Sequence, residues 1–418
     1  MPGSRRRVTF FCPRVKLGAS LWAPMKTRAS RLSVLNRFLP ALTALLGMIV
    51  VFAHFRATHC DFDTYLIAGD RVLKGDFAGL YEPNRNAYGG FLYPLISALF
   101  FSAFALLGPF GGRLAFYLLL LGASVLILRF SYRFAQGPFR PLVLSIAGLL
   151  VFRSWIDCFQ TGNIGILLMG GVIAAVEIGV RHPRTSDLLL GTIAALKPLG
   201  VFFLGLRFVL REWGRLALSV AVALYLIWMP FWVLNPSKTS GVGLFGRYLD
   251  VLANPLNFGG NANPHFQSLP GAIARFFEWR GGGHPMWERS VTVAILLTLF
   301  FWAVGWRVSE WSRWKNRTRE LLAVFLGLCP LLYPGSWYHM GLCYLPMLVV
   351  LISRVMQAHS SKKVRAEWIA LVAFFIFYSI SGRSVFPREL SLWVEHRSLP
   401  AFAALFAFVV FRKRFPAN

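Results

Sequence analysis

The stretch LNRFLPALTALLGMIVVFAHFRATHCDFDTY, residues 35–65, opens on an apolar run and closes on two acids. As a helix, residues 35–55 are long enough to cross about 30 Å of hydrocarbon. Asp61 and Asp63 follow, two of only 17 acidic residues in a chain of 418. Carboxylates are costly near hydrocarbon, so an acidic pair where the chain leaves a bilayer points to chemistry at a lipid surface. Apolar runs of comparable length recur from residue 34 to the C-terminus, and they read as a scaffold around this stretch.

Composition supports that reading. The chain is 56% hydrophobic and 15% charged, with a mean hydropathy of +0.57, whereas soluble domains carry about 25% charged residues. The expectation is an all-α polytopic membrane protein with about 12–13 transmembrane helices. The net charge of +27 would suggest nucleic acid in a soluble protein. Here Lys and Arg concentrate in short joints at residues 5–37, 181–184, 211–215, 307–319, 354–365 and 412–414, the pattern of cytoplasmic loops. No basic domain stands apart from the spans, so no nucleic-acid partner is expected. Five cysteines without ligand spacing suggest neither a disulfide framework nor a zinc site. Residues 1–33 read as a basic, disordered cytoplasmic extension, with Met25 a plausible natural start, and residues 34–418 as one integral membrane domain.

Alternation of spans places residues 56–90 outside, with residues 63–74 as an interfacial helix ended by Gly75 and laying Phe62, Tyr65, Leu66, Val72 and Leu73 on the membrane. Residues 91–107 then return inward. The next part breaks the alternation: residues 114–128 and 142–151 are joined by Arg129, Arg133 and Arg140, which puts a basic joint outside. One crossing between Gly111 and Asn163 is therefore misdivided, as a half-length helix or two short ones. Beyond it the pattern is regular and leaves both termini cytoplasmic.

On this topology Asp61, Asp63, Gln160, Asn163, Lys197, His265, Gln267, Arg275 and His339 all fall outside. A carboxylate can take a proton from an attacking hydroxyl, and cations can meet charge growing on a phosphate. Transfer to or from a lipid phosphate suits such a face. Each residue has a plainer reading too: Asp61 as a helix N-cap, Lys197 snorkelling to the interface, Gln267 and Ser268 as turn residues, His339 as a helix-end residue. Trp228, Trp232, Trp337 and Trp393 read as interfacial anchors.

A set of ordered motifs resembles glycosyltransferase family 87, membrane mannosyltransferase-like enzymes of the GT-C fold. The set is Asp61-Phe62-x-x-Tyr65 with Ala68-Gly69, Leu80-Tyr81-x-Pro83, Phe91-x-Tyr93-Pro94, Gly162-Asn163, Lys197-Pro198, Gln267-Ser268-Leu269-x-Gly271 and Pro334-x-Ser336-Trp337-x-His339. Together these span roughly residues 35–355. Departures are Glu82 for Asp, Leu95 for a second Pro, Phe266 for Asn, Met340 for a second His, and a displaced Gln160. The resemblance implies a polyprenyl-phosphate sugar donor, a glycan or glycolipid acceptor, and an extracytoplasmic active site on the plasma (inner) membrane. It implies Asp61 as general base and His339 facing the donor phosphate, with Lys197, Gln267, Asp63, Asn163 and Tyr65 as further substrate-binding candidates. No cofactor and no metal are called for. The competing class is a lipid or sugar transporter, which predicts ionisable residues near mid-membrane.

Overall fold

The computed structural model describes residues 23–55, 60–81, 91–234, 241–253, 267–279, 285–305, 308–333, 338–358, 364–381 and 387–415. Among these no strand occurs. The chain enters on α1 (Ala23–Phe55), so the last residues of the basic extension continue the first helix. It proceeds through α2 (Cys60–Leu73), α3 (Leu95–Ala105), α4 (Gly108–Tyr132), α5 (Arg140–Leu150), α6 (Phe152–Thr161) and α7 (Gly165–Ile178). Next come α8 (Pro183–Leu196), α9 (Val201–Val209), α10 (Trp213–Val233), α11 (Gly241–Ala253), α12 (Leu269–Trp279) and α13 (Pro285–Val304). The chain closes with α14 (Thr318–Leu332), a 3₁₀ segment Tyr338–Tyr344, α15 (Leu345–Gln357), α16 (Arg365–Phe374), α17 (Arg388–His396) and α18 (Leu399–Arg414).

This is an all-α polytopic membrane protein. Among the described residues four helices are long and apolar enough to cross a membrane, or six if each of two bent pairs is one span. Leu95–Ala105, Gly165–Ile178, Pro198–Val209 and Arg289–Val304 are apolar but shorter, so a total of 12 to 13 requires counting short helices as crossings. Large apolar side chains such as Leu118, Val125, Leu224, Trp228, Trp232, Val293, Ile369 and Trp393 face outward, as a lipid-facing wall requires. The core lies where α14 and α15 meet: every residue from Leu321 to Leu332 is buried.

The region between Gly111 and Asn163 does hold two short helices, and a further irregularity lies one element earlier. The region from Gly111 to Asn163 holds one long helix, α4, and one broken pair, α5–α6, bent by 57°. The misfit is α3. At 11 residues it is about 16 Å long, too short to cross. Both its ends lie at the Asp61 end of the bundle. At its start Ser97 Oγ donates to the Leu196 carbonyl, 2.6 Å. Just past its end, Arg113 of α4 reaches Phe55 O at 3.4 Å and Asp63 Oδ1 at 3.3 Å. Residues 91–107 therefore stay at the Asp61 end of the bundle, and α4 is the first helix after α1 long and apolar enough to cross a membrane.

A second correction follows. Phe62 and Tyr65 do not lie on a membrane; they are buried, Phe62 stacked on Phe116 of α4 at 4.7 Å and Tyr65 on Phe101 of α3 at 4.3 Å. Each such burial contributes about 1.5–3 kcal/mol, so α2 turns its aromatic face to α3. Gly69 permits this approach, since a Cβ there would lie 2.7 Å from the Phe101 backbone. Gly75, at φ +71°, closes the turn after α2 as expected.

The opposite end of the bundle is basic and internally neutralised. Glu177 at the end of α7 binds Arg133 of α4 and Arg319 of α14. Asp187 and Glu212 hold Arg207 and Arg215, and Glu367 holds Arg354.

Candidate active site

Two helix breaks and one proline shape the Asp61 end. Between α5 and α6 the ladder is interrupted at Val151, and the Leu150 carbonyl accepts instead from Ser379 Oγ at 2.6 Å. Such a break needs an outside donor where water is scarce. It tilts α6 so that Arg153 and Asp157, four apart on one face, point toward the 3₁₀ segment. Gly162, at φ +66°, ends α6 in the left-handed conformation. The next residue, Asn163, is thereby delivered to Asp61.

That contact is the centre of the site. Asn163 Nδ2 donates to Asp61 Oδ2 at 2.6 Å, and Asn163 Oδ1 accepts from the Gly165 N–H at 2.7 Å. One buried amide thus ties the carboxylate to the N-terminus of α7, whose unpaired N–H groups favour negative charge nearby. A methyl on Gly165 would meet Asn163 Oδ1 at 3.0 Å and His339 Cδ2 at 3.6 Å, so His339 joins the same cluster. His339 Nδ1 lies 3.4 Å from Asp157 Oδ2.

Lys197 arrives by a different route. The residue before a proline is driven to extended backbone, and Lys197, before Pro198, has φ −149° and ψ 134°. The side chain is buried, with Nζ 5.3 Å from the Tyr93 ring centre. Burial works against its charge, but Tyr93, Tyr333 and Asp61 more than offset that and raise its pKa. Tyr65 completes this side, its hydroxyl 3.1 Å from that of Tyr93. Burial, with Tyr93 and Asp61 beside it, pushes the Tyr65 phenol well up, so it stays a neutral donor.

Asp63 is not in the cluster. Residues two apart face different sides of a helix, and Asp63 turns to Arg113, where it ties α2 to α4. Gln267 sits in a neighbouring group. Its Nε2 lies 3.4 Å from the Glu395 carbonyl, while Ser268 Oγ accepts from the Gly271 N–H at 3.3 Å and caps α12. Glu395 pairs with Arg153 at 3.2 Å, Arg153 lies 3.2 Å over the Tyr338 ring centre, and Arg275 donates to Ser398 Oγ. Tyr338 adjoins His339, so the two groups are continuous. His265 lies outside the described residues.

The family model for glycosyltransferase family 87 matches residues 91–334, more than half of the chain. The chain belongs to glycosyltransferase family 87. It is therefore a membrane-embedded glycosyltransferase. The family match takes in Tyr93, Asn163, Lys197 and Gln267; Asp61 precedes it and His339 follows it. Comparison with curated proteins and with solved structures finds no match.

Sequence reasoning missed Arg153, Asp157 and Glu395. The first two carried a readable signal: Arg153, Asp157 and Gln160 recur at helical spacing in a polar face beside an apolar run. Glu395 carried none, because its partner Arg153 is 242 residues away.

Proposed function

We propose that this glycosyltransferase moves a hexosyl group, mannosyl by the motif resemblance, from a polyprenyl-phosphate donor to a hydroxyl of a glycan or glycolipid at the extracytoplasmic face of the plasma (inner) membrane. The carrying observation is the 2.6 Å bond from Asn163 to Asp61. It holds one carboxylate oxygen and leaves the other to receive a proton. The acceptor hydroxyl lies against Asp61, which takes its proton as the oxygen attacks the anomeric carbon. The bond from that carbon to the phosphate oxygen breaks on the opposite face, with inversion. The electron pair leaves on the polyprenyl phosphate, whose charge is met by Lys197 and His339. Such a leaving group needs little protonation, so one base and a cationic pocket suffice.

The gathering of neutralised basic joints at the other end of the bundle supports cytoplasmic termini and an outward-facing site. Asp61→Asn tests the assignment. Transfer of labelled sugar from a polyprenyl-phosphate donor by membranes should fall about 10²–10⁴-fold while the protein level holds. Undiminished transfer would sink it.

A further inference from the structure

A second carboxylate stands behind His339. Asp157 lies midway along α6, and its Oδ2 is 3.4 Å from His339 Nδ1. The contact is held from several sides. Cys158 Sγ donates to the His339 carbonyl at 3.5 Å, and Tyr378 Oη donates to the Tyr338 carbonyl at 3.3 Å. Gly341 lets the 3₁₀ segment press on α6, since a Cβ there would collide with Ser154 Oγ and Tyr378 Oη. The His339 side chain is 9% exposed, so its ring has little room to turn.

Burial makes the charge on Asp157 consequential. Its Oδ2 is sealed from solvent and accepts no hydrogen bond of normal geometry from the described residues. A buried carboxylate oxygen needs a cation or a donor. Arg153, one turn earlier on the same helix, is engaged elsewhere: with Glu395, with Ser381 Oγ at 3.2 Å and over the Tyr338 ring. Lys197 is turned to the Tyr93 ring. His339 is the group that faces Asp157. Their 3.4 Å separation is long for a hydrogen bond, and such pairs tighten when substrate binds. The other edge of the ring faces the transfer site: its Cδ2 would lie 3.6 Å from a methyl on Gly165, the residue whose N–H holds Asn163 beside Asp61. With Nδ1 turned to Asp157, Nε2 is the nitrogen left for a ligand.

We propose that Asp157 is a positioning residue for His339: its carboxylate accepts the Nδ1 proton in a hydrogen bond and holds the ring as an imidazolium, with Nε2–H presented to the leaving phosphate. This rests on the phosphate leaving group proposed above. A sugar phosphodiester carries one negative charge. The monoester that leaves gains a second as its bond to the anomeric carbon breaks, and the ring keeps its proton throughout. A fixed cation meets that new charge more in the transition state than in the ground state. Asp157 therefore acts on kcat more than on KM.

The test compares the full chain in nanodiscs as wild type, Asp157→Asn, Asp157→Ala, His339→Gln and the double variant Asp157→Asn with His339→Gln. Asparagine keeps the shape of the side chain and removes its charge, so it separates charge from packing. Both Asp157 variants should lower kcat for transfer from a short-chain polyprenyl-phosphate sugar about 10–10²-fold, with KM changed less than about twofold. In the His339→Gln background, Asp157→Asn should cost less than about twofold more, because residues that act as a unit are not additive. Thermal midpoints need no donor and should show the same coupling: the double variant should fall by less than the sum of the single ones. Wild-type kcat in Asp157→Asn, a loss carried by KM alone, or additive losses in either measure would overturn the pair. The two readings fail separately. Coupled midpoints without transfer from a polyprenyl-phosphate donor would remove the donor reading and leave the pair, and additive losses with transfer intact would remove the pair alone.

Discussion

Asn163 is the residue whose role the structure changes most. Its amide is engaged at both ends, by Asp61 and by the Gly165 N–H, and in the proposed mechanism it positions the base. Asn163→Ala should lower kcat about 10–10²-fold with little change in KM, the scale of a misplaced reacting group. Asn163→Asp sets a second carboxylate against Asp61, which disfavours the ionised base. The acid limb of its kcat/KM profile should therefore move to higher pH. Wild-type kcat in the first variant and an unmoved profile in the second would remove Asn163 from this role. Asp61, Asn163, Lys197 and His339 stood out in the sequence as candidates because each sits at a helix end, where polar residues contrast with apolar runs. Asp157 and Arg153 were not singled out, since they lie within α6 and its bend at Val151 is what aims them at the site.

At the scale of elements, the α2–α3 pair decides where Asp61 points. The two helices touch through Gly69 and the Phe101 backbone, and backbone cannot give way as a side chain can. Gly69→Val should cost about 1–3 kcal/mol, the usual range for overpacking, and lower the thermal midpoint in detergent. Because α2 carries Asp61, transfer should fall with it. An unchanged midpoint would deny the contact. Residues 91–107 read as a crossing because Phe91, Leu95, Phe100, Phe101 and Phe104 are as apolar as any span. What distinguishes α3 is its partner. Phe101 and Phe104 meet Tyr65 and Phe116, and hydropathy cannot tell burial in protein from burial in lipid.

At the scale of the whole molecule the charges divide. Four acidic side chains, Glu177, Asp187, Glu212 and Glu367, neutralise arginines at the basic end. Asp187 and Glu367 are buried, and removing such a partner from a buried arginine pair is costly. The proposed orientation makes a direct prediction. With the native cysteines replaced, Lys74→Cys should react with an impermeant thiol reagent in intact cells, and Arg184→Cys only after the membrane is opened. Both positions are exposed. The reverse pattern would invert the site to the cytoplasmic face.

The sequence by itself determined that the chain is a helical membrane protein, where most helices begin and end, which end is basic, and which motifs it shares with its family. These are local properties: hydropathy summed over a window, a Pro or Gly that ends a helix, a charge at a joint. Only the tertiary structure decided that α3 packs against α2 and α4, that Asp61 and Asp63 serve different partners, and that Arg153 and Glu395 pair beside Tyr338. The reason is distance along the chain. Asn163 and Asp61 are 102 residues apart, and their meeting depends on a close glycine contact, a bent helix and a left-handed turn acting together. Each of these is visible alone, but their sum is a property of the packed bundle.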